Sequence, residues 1–238
     1  MKKVILSLFV VYCFTLNLSS SYAQSCSGSL GNPIVDVNFG TGTNPGAALA
    51  TGSTNYTYSN SDCPNDGSYT IRNSTGSPGN GCFGNSWFYL AEDHTPGDVN
   101  GYMMVINAAN APGEFFKQTV TGLCTGTTYE LSSWVINLLT TGACTSNPNR
   151  FPNITFQVET TTGTVIKTYN TGNIVAGSTA AWVRQATFFT MPAGQNSVVL
   201  KLINNAPGGC GNDLAIDDIQ FRACGPVLTA SISGNMAV

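Results

Sequence analysis

Charge is what this sequence has least of. Only 9% of its 238 residues are Asp, Glu, Lys or Arg, against about 25% in an average soluble chain. Lys2 and Lys3 precede an apolar stretch expected to be removed, so 9 − 2 = 7 basic residues face 12 acidic ones, a net of −5. That balance repels phosphate backbones and anionic membrane surfaces, which excludes nucleic-acid binding through basic patches. Histidine occurs once, at His94. A zinc centre needs three or four His, Cys or carboxylate ligands, and no cysteine pair is spaced C-x-x-C. A Ser-His-Asp hydrolase elbow is missing too, because Gly84-Asn85-Ser86-Trp87-Phe88 lacks the closing glycine. Helical periodicity does not persist anywhere in the mature chain, which excludes an architecture built on long helices.

What is abundant is neutral and polar. Thr (28) and Asn (24) together outnumber all charged residues, and Gly reaches 26 with Pro at 11. This mixture favours strands joined by tight turns. Short alternating runs bounded by Gly, Asn and Pro predict strands near 34–39, 68–73, 86–90, 101–107, 114–121, 127–138, 153–160, 163–170, 182–190, 196–204 and 213–222. Thr160-Thr161-Thr162-Gly163 reads as a hairpin turn. The stretches 41–66 and 74–85 are rich in Gly, Ser and Asn and are expected as surface loops.

Residues 1–23 read as a secretory leader: two lysines, an apolar stretch from Val4 to Leu16, and Ser21-Tyr22-Ala23 ahead of Gln24. The apolar stretch falls short of the about 20 residues that span a bilayer, so no membrane insertion is expected. A secreted or cell-surface location follows, and with it disulfides. Seven mature cysteines remain. Cys63 pairs most naturally with Cys82, across one strand-like run, and Cys144 with Cys210, both in Gly/Asn-rich loops. Cys224 has Cys26 or Cys124 as its partner, and the odd number leaves one thiol over. Residues 24–224 read as one domain. After Cys224-Gly225-Pro226 a fresh alternating run starts, so 225–238 is expected to be a linker and the start of a further β domain of the same longer chain.

Catalysis has little to stand on. Glycoside hydrolysis needs two carboxylates about 5 to 9.5 Å apart across a cleft. Asp217 and Asp218 are adjacent in an expected strand, and alternation sends adjacent side chains to opposite faces. Glu92, Asp93, Glu114, Glu130 and Glu159 have no evident partner carboxylate. A non-enzyme is expected.

Four stretches, taken in order, resemble the jelly-roll carbohydrate-binding modules with a galactose-binding-like fold. They are Asn32-Pro33-Ile34-Val35-Asp36-Val37-Asn38-Phe39-Gly40, Tyr129-Glu130-Leu131-Ser132-Ser133-Trp134-Val135, Trp182 through Pro192, and Asp213-Leu214-Ala215-Ile216-Asp217-Asp218-Ile219-Gln220-Phe221. The last stretch, with Asp93-His94-Thr95 and Gly101-Tyr102-Met103, is also similar to MAM adhesion domains. The composition looks like that of modular surface proteins of gliding, Bacteroidetes-type bacteria. The opening strand departs from the modules by lacking the acidic residue common after its Phe. The resemblance implies an all-β, antiparallel jelly-roll β-sandwich with first and last strands as neighbours. It implies a non-catalytic module that binds a polysaccharide or other glycan, or else an adhesion or structural module without a sugar site.

The resemblance also implies a structural calcium ion, which takes six to eight oxygen ligands. It maps the ion onto Asp93, Asp98 and one of Asp217 or Asp218, with Asn38 or a neighbour giving a carbonyl. His94 is read as a hydrogen-bonding residue. For the ligand, Trp134 and Glu130 share one face of their strand by alternation, the face turned away from the core if the resemblance holds. An indole stacks on the apolar face of a sugar ring, and a carboxylate accepts hydrogen bonds from hydroxyls. Asn137, Arg150 and Asn204 complete the candidate site, with Trp87 and Tyr89 as secondary aromatics. Both faces of 129–138 are apolar enough that Trp134 could equally fill the core, and Trp182 is read as sealing the sandwich end.

Overall fold

The computed structural model describes residues 26, 28–146, 150–205 and 207–225. The expected leader and the run from 226 lie outside the described residues. Eleven strands follow in order: β1 Leu30–Val37, β2 Thr57–Tyr58, β3 Ser68–Arg72, β4 Met103–Asn107, β5 Gly113–Thr121, β6 Thr128–Asn137, β7 Asn153–Glu159, β8 Val165–Asn173, β9 Val183–Thr190, β10 Ser197–Asn204 and β11 Leu214–Cys224. They form an all-β sandwich of jelly-roll type, antiparallel except for the short β2–β3 pair. One sheet runs β2-β3-β4-β11-β6-β9, the other β5-β10-β7-β8, and both take strands from either side of residue 150. β11 is the centre of the first sheet. One of its edges pairs with β6 along its length, while the other is shared by β4 at Leu214–Ile216 and by β1 from Ile219 onward. First and last strands are therefore neighbours, as the resemblance implied.

Strand periodicity builds the core. In β10, Val198, Leu200 and Leu202 are buried while Ser197, Val199, Lys201 and Ile203 are half-exposed, the period of two that a sheet with one dry face requires. Leu131, Val135, Ile216 and Phe221 of the first sheet meet Phe115, Ile154, Phe156 and Leu200 of the second. Phe221 stacks on Tyr129, with ring centroids 5.0 Å apart.

The first sheet is dry on part of its outer face too. Met103, Val105, Ile136 and Ala215 are capped there by Cys82, Trp87 and Leu90. This overturns two expectations. Residues 86–90 are not a strand and make only isolated bridges, Trp87 to Leu139 and Leu90 to Thr75. A distorted helical turn (α1, Cys82–Asn85) swings the chain through positive φ at Phe83, Gly84 and Asn85, and so breaks the ladder before it starts. Nor are 41–66 and 74–85 all surface, because Tyr56, Thr75 and Cys82 are buried.

Alternation also fails once, in β11. A bulge between Asp217 and Gln220, with Asp218 at φ 48°, restores Ile219 and Phe221 to the core. An inserted residue leaves two side chains opposing one, so the adjacent Asp217 and Asp218 both reach the outer side.

Three disulfides close the fold: Cys63–Cys82 and Cys144–Cys210 as expected, and Cys26–Cys224, which resolves the open choice. Cys124 is the exposed free thiol. Three bridges suit an oxidising compartment. Among the described residues no helix is long and apolar enough to cross a membrane.

Phe221 is 0% exposed and carries the central aromatic stack. Phe221→Ala is expected to cost about 3–5 kcal/mol of unfolding free energy. Val99→Ser, at a position 81% exposed, should stay within about 0.5 kcal/mol. Urea unfolding of the two variants checks the pair.

Candidate functional site

The bulge in β11 is where the outer layer is anchored. The Asp217 carboxylate accepts from the His94 N–H at 2.9 Å, the Thr95 N–H at 3.2 Å and the Thr95 hydroxyl at 3.3 Å, and its other oxygen accepts from the Asp218 N–H at 2.8 Å. Asp218 takes His94 Nδ1 at 2.7 Å and the Thr95 hydroxyl at 2.9 Å. Burial pushes the Asp217 carboxyl up to about 8, and these donors oppose the rise. Both carboxylates thus hold the 93–95 segment in place, and neither points an unshared oxygen outward.

Immediately beside them is a cradle of unpartnered oxygen. Asp93 Oδ2 and both carboxylate oxygens of Asp98 are buried without a hydrogen-bond donor. They converge on Gly101: a Cβ there would sit 2.3 Å from the Asp93 oxygen and 2.3 and 2.4 Å from the two Asp98 oxygens. Burial first, then the charges of Asp98 and Asp218, push the Asp93 carboxyl up to about 6. The backbone of 40–42 flanks the cradle, since Gly42 N–H donates to Asn100 and Tyr102 N–H to Gly40. Asn38 lies just upstream, but its side-chain oxygen accepts from the Gly40 N–H at 3.1 Å. Of the five expected metal-site residues, Asp93 and Asp98 therefore form the cradle, Asp217 and Asp218 support it, and the side chain of Asn38 closes a local turn.

Trp134 sits on the outer face of β6, half-buried, so the open alternative resolves away from the core. His94 stacks on its indole at 3.9 Å and 19°, and Trp182 meets His94 edge-on at 5.8 Å. Along the same face Glu130, only 2% exposed, binds the Arg184 guanidinium. Arg184 pairs with Trp134 across the ladder, and the small Ser132 and Ala186 pair between them and the Glu130–Phe188 pair. Arg222 and Gln220 continue the face on β11, joined by a side-chain hydrogen bond. The result is a polar stretch of the sheet bordered by Trp134 with His94 at one end and Phe188 at the other.

The remaining candidates do not join this face. Asn137 is buried, donating to the Ile174 carbonyl at 2.8 Å and accepting from Leu139 N–H at 2.9 Å. Asn204 is buried and accepts from Asn212 at 2.9 Å. Arg150 donates to the Gly208 carbonyl. Trp87 is 2% exposed, with its indole N–H on Asp213 at 3.0 Å, while Tyr89 lies half-exposed in the covering segment. Sequence reasoning missed Arg184, Thr95, Gly101 and Asp213. Arg184 was legible, because one strand register places it beside Trp134; the cradle at Gly101 had no periodic signal.

No protein-family model matches the chain, and no curated protein matches it. Among solved structures, a C-terminal domain of EclA, described as a sugar-binding protein, is 19% identical with a TM-score of 0.39 and covers 59% of this chain and 86% of its own. The CBM22-1 xylan-binding domain from Paenibacillus barcinonensis Xyn10C is 12% identical, TM-score 0.39, covering 86% and 100%. A Stig cyclase from Fischerella sp. TAU is 12% identical, TM-score 0.45, covering 82% and 85%. All three lie below 20% identity and a TM-score of 0.5, so the architecture rests on strand order and register.

Asp213 accepts from Trp87 and from the Ala108 N–H at 3.0 Å. Burial, with no lysine or arginine paired to it, pushes its carboxyl up to about 8 from 3.8. An acid with a raised folded-state pKa keeps a proton that the unfolded chain releases, so stability falls as pH rises from about 4 to about 8. Asp213→Asn removes that titration. The drop in Tm between pH 5 and pH 8 should be smaller in Asp213→Asn than in the parent, and an equal drop would mean that Asp213 does not titrate there.

Proposed function

We propose that the domain is a non-catalytic, extracellular glycan-binding module whose ligand face is buttressed by a calcium ion. The observation that carries the ligand face is the half-buried Trp134 standing beside the Glu130–Arg184 ion pair on an otherwise small-residue floor. A sugar ring has an apolar C–H surface and a polar rim. The half-buried indole of Trp134, with Trp182 on the far side of His94, suits the first. The guanidinium fork, with Gln220 and Arg222 beyond it, suits hydroxyl and carboxylate oxygens.

Calcium is supported by the cradle. Three carboxylate oxygens of Asp93 and Asp98 converge beside Gly101, and each is buried and unpartnered, the kind of oxygen that calcium takes as a ligand. Backbone carbonyls and water would supply the other ligands, and the ion would act structurally by neutralising the cluster. What this chain's residues do is separable: Asp93 leads directly into His94, which lies on the indole. A stiff cradle therefore means a stiff ligand face.

Two experiments test the two halves. Calcium should raise the Tm of chelated protein, with a stabilisation of about 2.7 kcal/mol at a concentration 100-fold above Kd. Asp98→Asn, which loses a charge, and Gly101→Ala, which fills the cradle, should both abolish that rise; an unchanged Tm in the parent sinks the ion. For the glycan, Trp134→Ala and Arg184→Lys should each weaken retention on the best of a panel of polysaccharides by about tenfold, or about 1.4 kcal/mol. A collapse in stability for Trp134→Ala, with full binding by Arg184→Lys, would return the face to a packing role.

A further inference from the structure

The second ring nitrogen of His94 is a polar atom of the Trp134 region that the fold does not use. The ring itself is closely framed. It stacks on Trp134 at 3.9 Å and 19°, and Trp182 stands edge-on to it at 5.8 Å. The Asp218 carboxylate lies 2.7 Å from Nδ1. Asp218 is fixed in turn, because it takes the Thr95 hydroxyl at 2.9 Å while its N–H donates to Asp217 at 2.8 Å. The other oxygen of Asp217 holds the His94 N–H at 2.9 Å. Backbone and ring are therefore set before any ligand arrives.

The bond to Asp218 decides the chemistry of the ring. A carboxylate only accepts, so the hydrogen between it and Nδ1 belongs to the imidazole, and a neutral ring then carries none on Nε2. Nε2 is left as a bare lone pair. Among the described residues no group bonds it, and it is not one of the buried atoms without a partner. It therefore lies on the open part of the side chain, which keeps 20% of its surface.

An open acceptor is what the sheet lacks beside the indole. Arg184 offers donors only. Glu130 is closed off beneath it with 3% of its side chain exposed, Ser132 is buried, and the Gln220 side-chain oxygen is taken by Arg222. A sugar hydroxyl both donates and accepts. Bound through donors alone, its hydrogen goes unmatched, which costs about 1–3 kcal/mol where the group is desolvated.

Granted the glycan-binding reading, on which this step rests, we propose that His94 is a ligand-binding residue whose Nε2 accepts a hydroxyl hydrogen from a sugar ring seated against Trp134. Asp218 is the positioning residue that keeps Nε2 free of hydrogen. The ligand class narrows accordingly. It is a glycan with a free hydroxyl at the edge of the seated ring, and methylation or acetylation of that hydroxyl sets one lone pair against another.

Imidazole 15N spectra of the full chain, taken at about pH 8 where an ordinary imidazole is neutral, read the assignment directly. The free protein should show the hydrogen on Nδ1 and a bare Nε2. Cellohexaose, xylohexaose, laminarihexaose and mannohexaose are the probes, and the Nε2 resonance should move upfield with whichever binds. Asp218→Gly suits the φ of 48° and removes the acceptor at Nδ1. In that variant the hydrogen should shift onto Nε2 and the affinity should fall about fivefold, the worth of one neutral hydrogen bond. His94→Phe keeps a stacking ring and should lose as much. A hydrogen on Nε2 in the free parent, a probe that binds without moving Nε2, or full affinity in both variants overturns the assignment and leaves the glycan reading standing. Retention on no polysaccharide, with no shift from any probe, overturns both.

Discussion

One buried carboxylate ties the two layers of this molecule together. Asp217 is 0% exposed and accepts from the backbone and hydroxyl of the 94–95 segment while also bonding the bulge that contains it. Asp218 adds two further bonds to the same segment. The stacking of His94 on Trp134 and the convergence of Asp93 with Asp98 both depend on that attachment, because all three residues belong to or adjoin the same short segment. The bulge is thus the device that turns a strand of the core into a support for a surface.

The same constraint divides the outer face of the first sheet. Above the bulge, Met103, Val105, Ala215 and Ile136 are apolar and must be covered, and the segment carrying Cys82, Trp87 and Leu90 covers them. Below it the outward residues become Glu130, Ser132, Gln220 and Arg222, and the exposed Arg184 lies over the buried Glu130 as its ion-pair partner. Trp134 stands at the border, half in each regime. Its stacking on His94 is the seam between them.

The fold was largely legible because a strand with one dry face must alternate. Ten of the eleven expected strands are present, and two disulfides followed from the pattern, Cys63–Cys82 from flanking one strand-like run and Cys144–Cys210 from loop placement. The misses share a physical cause: each occurs where tertiary geometry overrides local pattern. Residues 86–90 alternate like a strand, but three successive left-handed residues and the Cys63–Cys82 bridge deliver them onto the sheet as a cover. Asp217 and Asp218 were assigned to opposite faces by strict alternation, and one residue at positive φ put both on the same side. At the site, Trp134 with Glu130 was legible as a same-face pair. Asn137, Asn204 and Arg150 were not, because proximity in sequence to a strand end says nothing about which backbone groups still need partners. Those three side chains serve the loops.

The scarcity of charge gives the acidic cluster its meaning. In a chain with so few ionisable groups, five acids are nevertheless buried: Asp93, Glu130, Glu159, Asp213 and Asp217. Buried carboxylates persist only when paired, protonated or bound to a cation. Glu130 has Arg184 and Glu159 has Lys201. Asp213 and Asp217 have hydrogen-bond donors and carboxyls raised to about 8, so the proton serves them. Asp93 has neither solution: its carboxyl rises only to about 6, one oxygen has no donor, and the nearest charges, Asp98 and Asp218, are negative. Among the described residues no lysine or arginine forms an ion pair with Asp93 or Asp98, so at neutral pH their repulsion is left uncompensated by the chain itself. Gly101 is the residue whose missing side chain leaves the three oxygens facing one another without a clash.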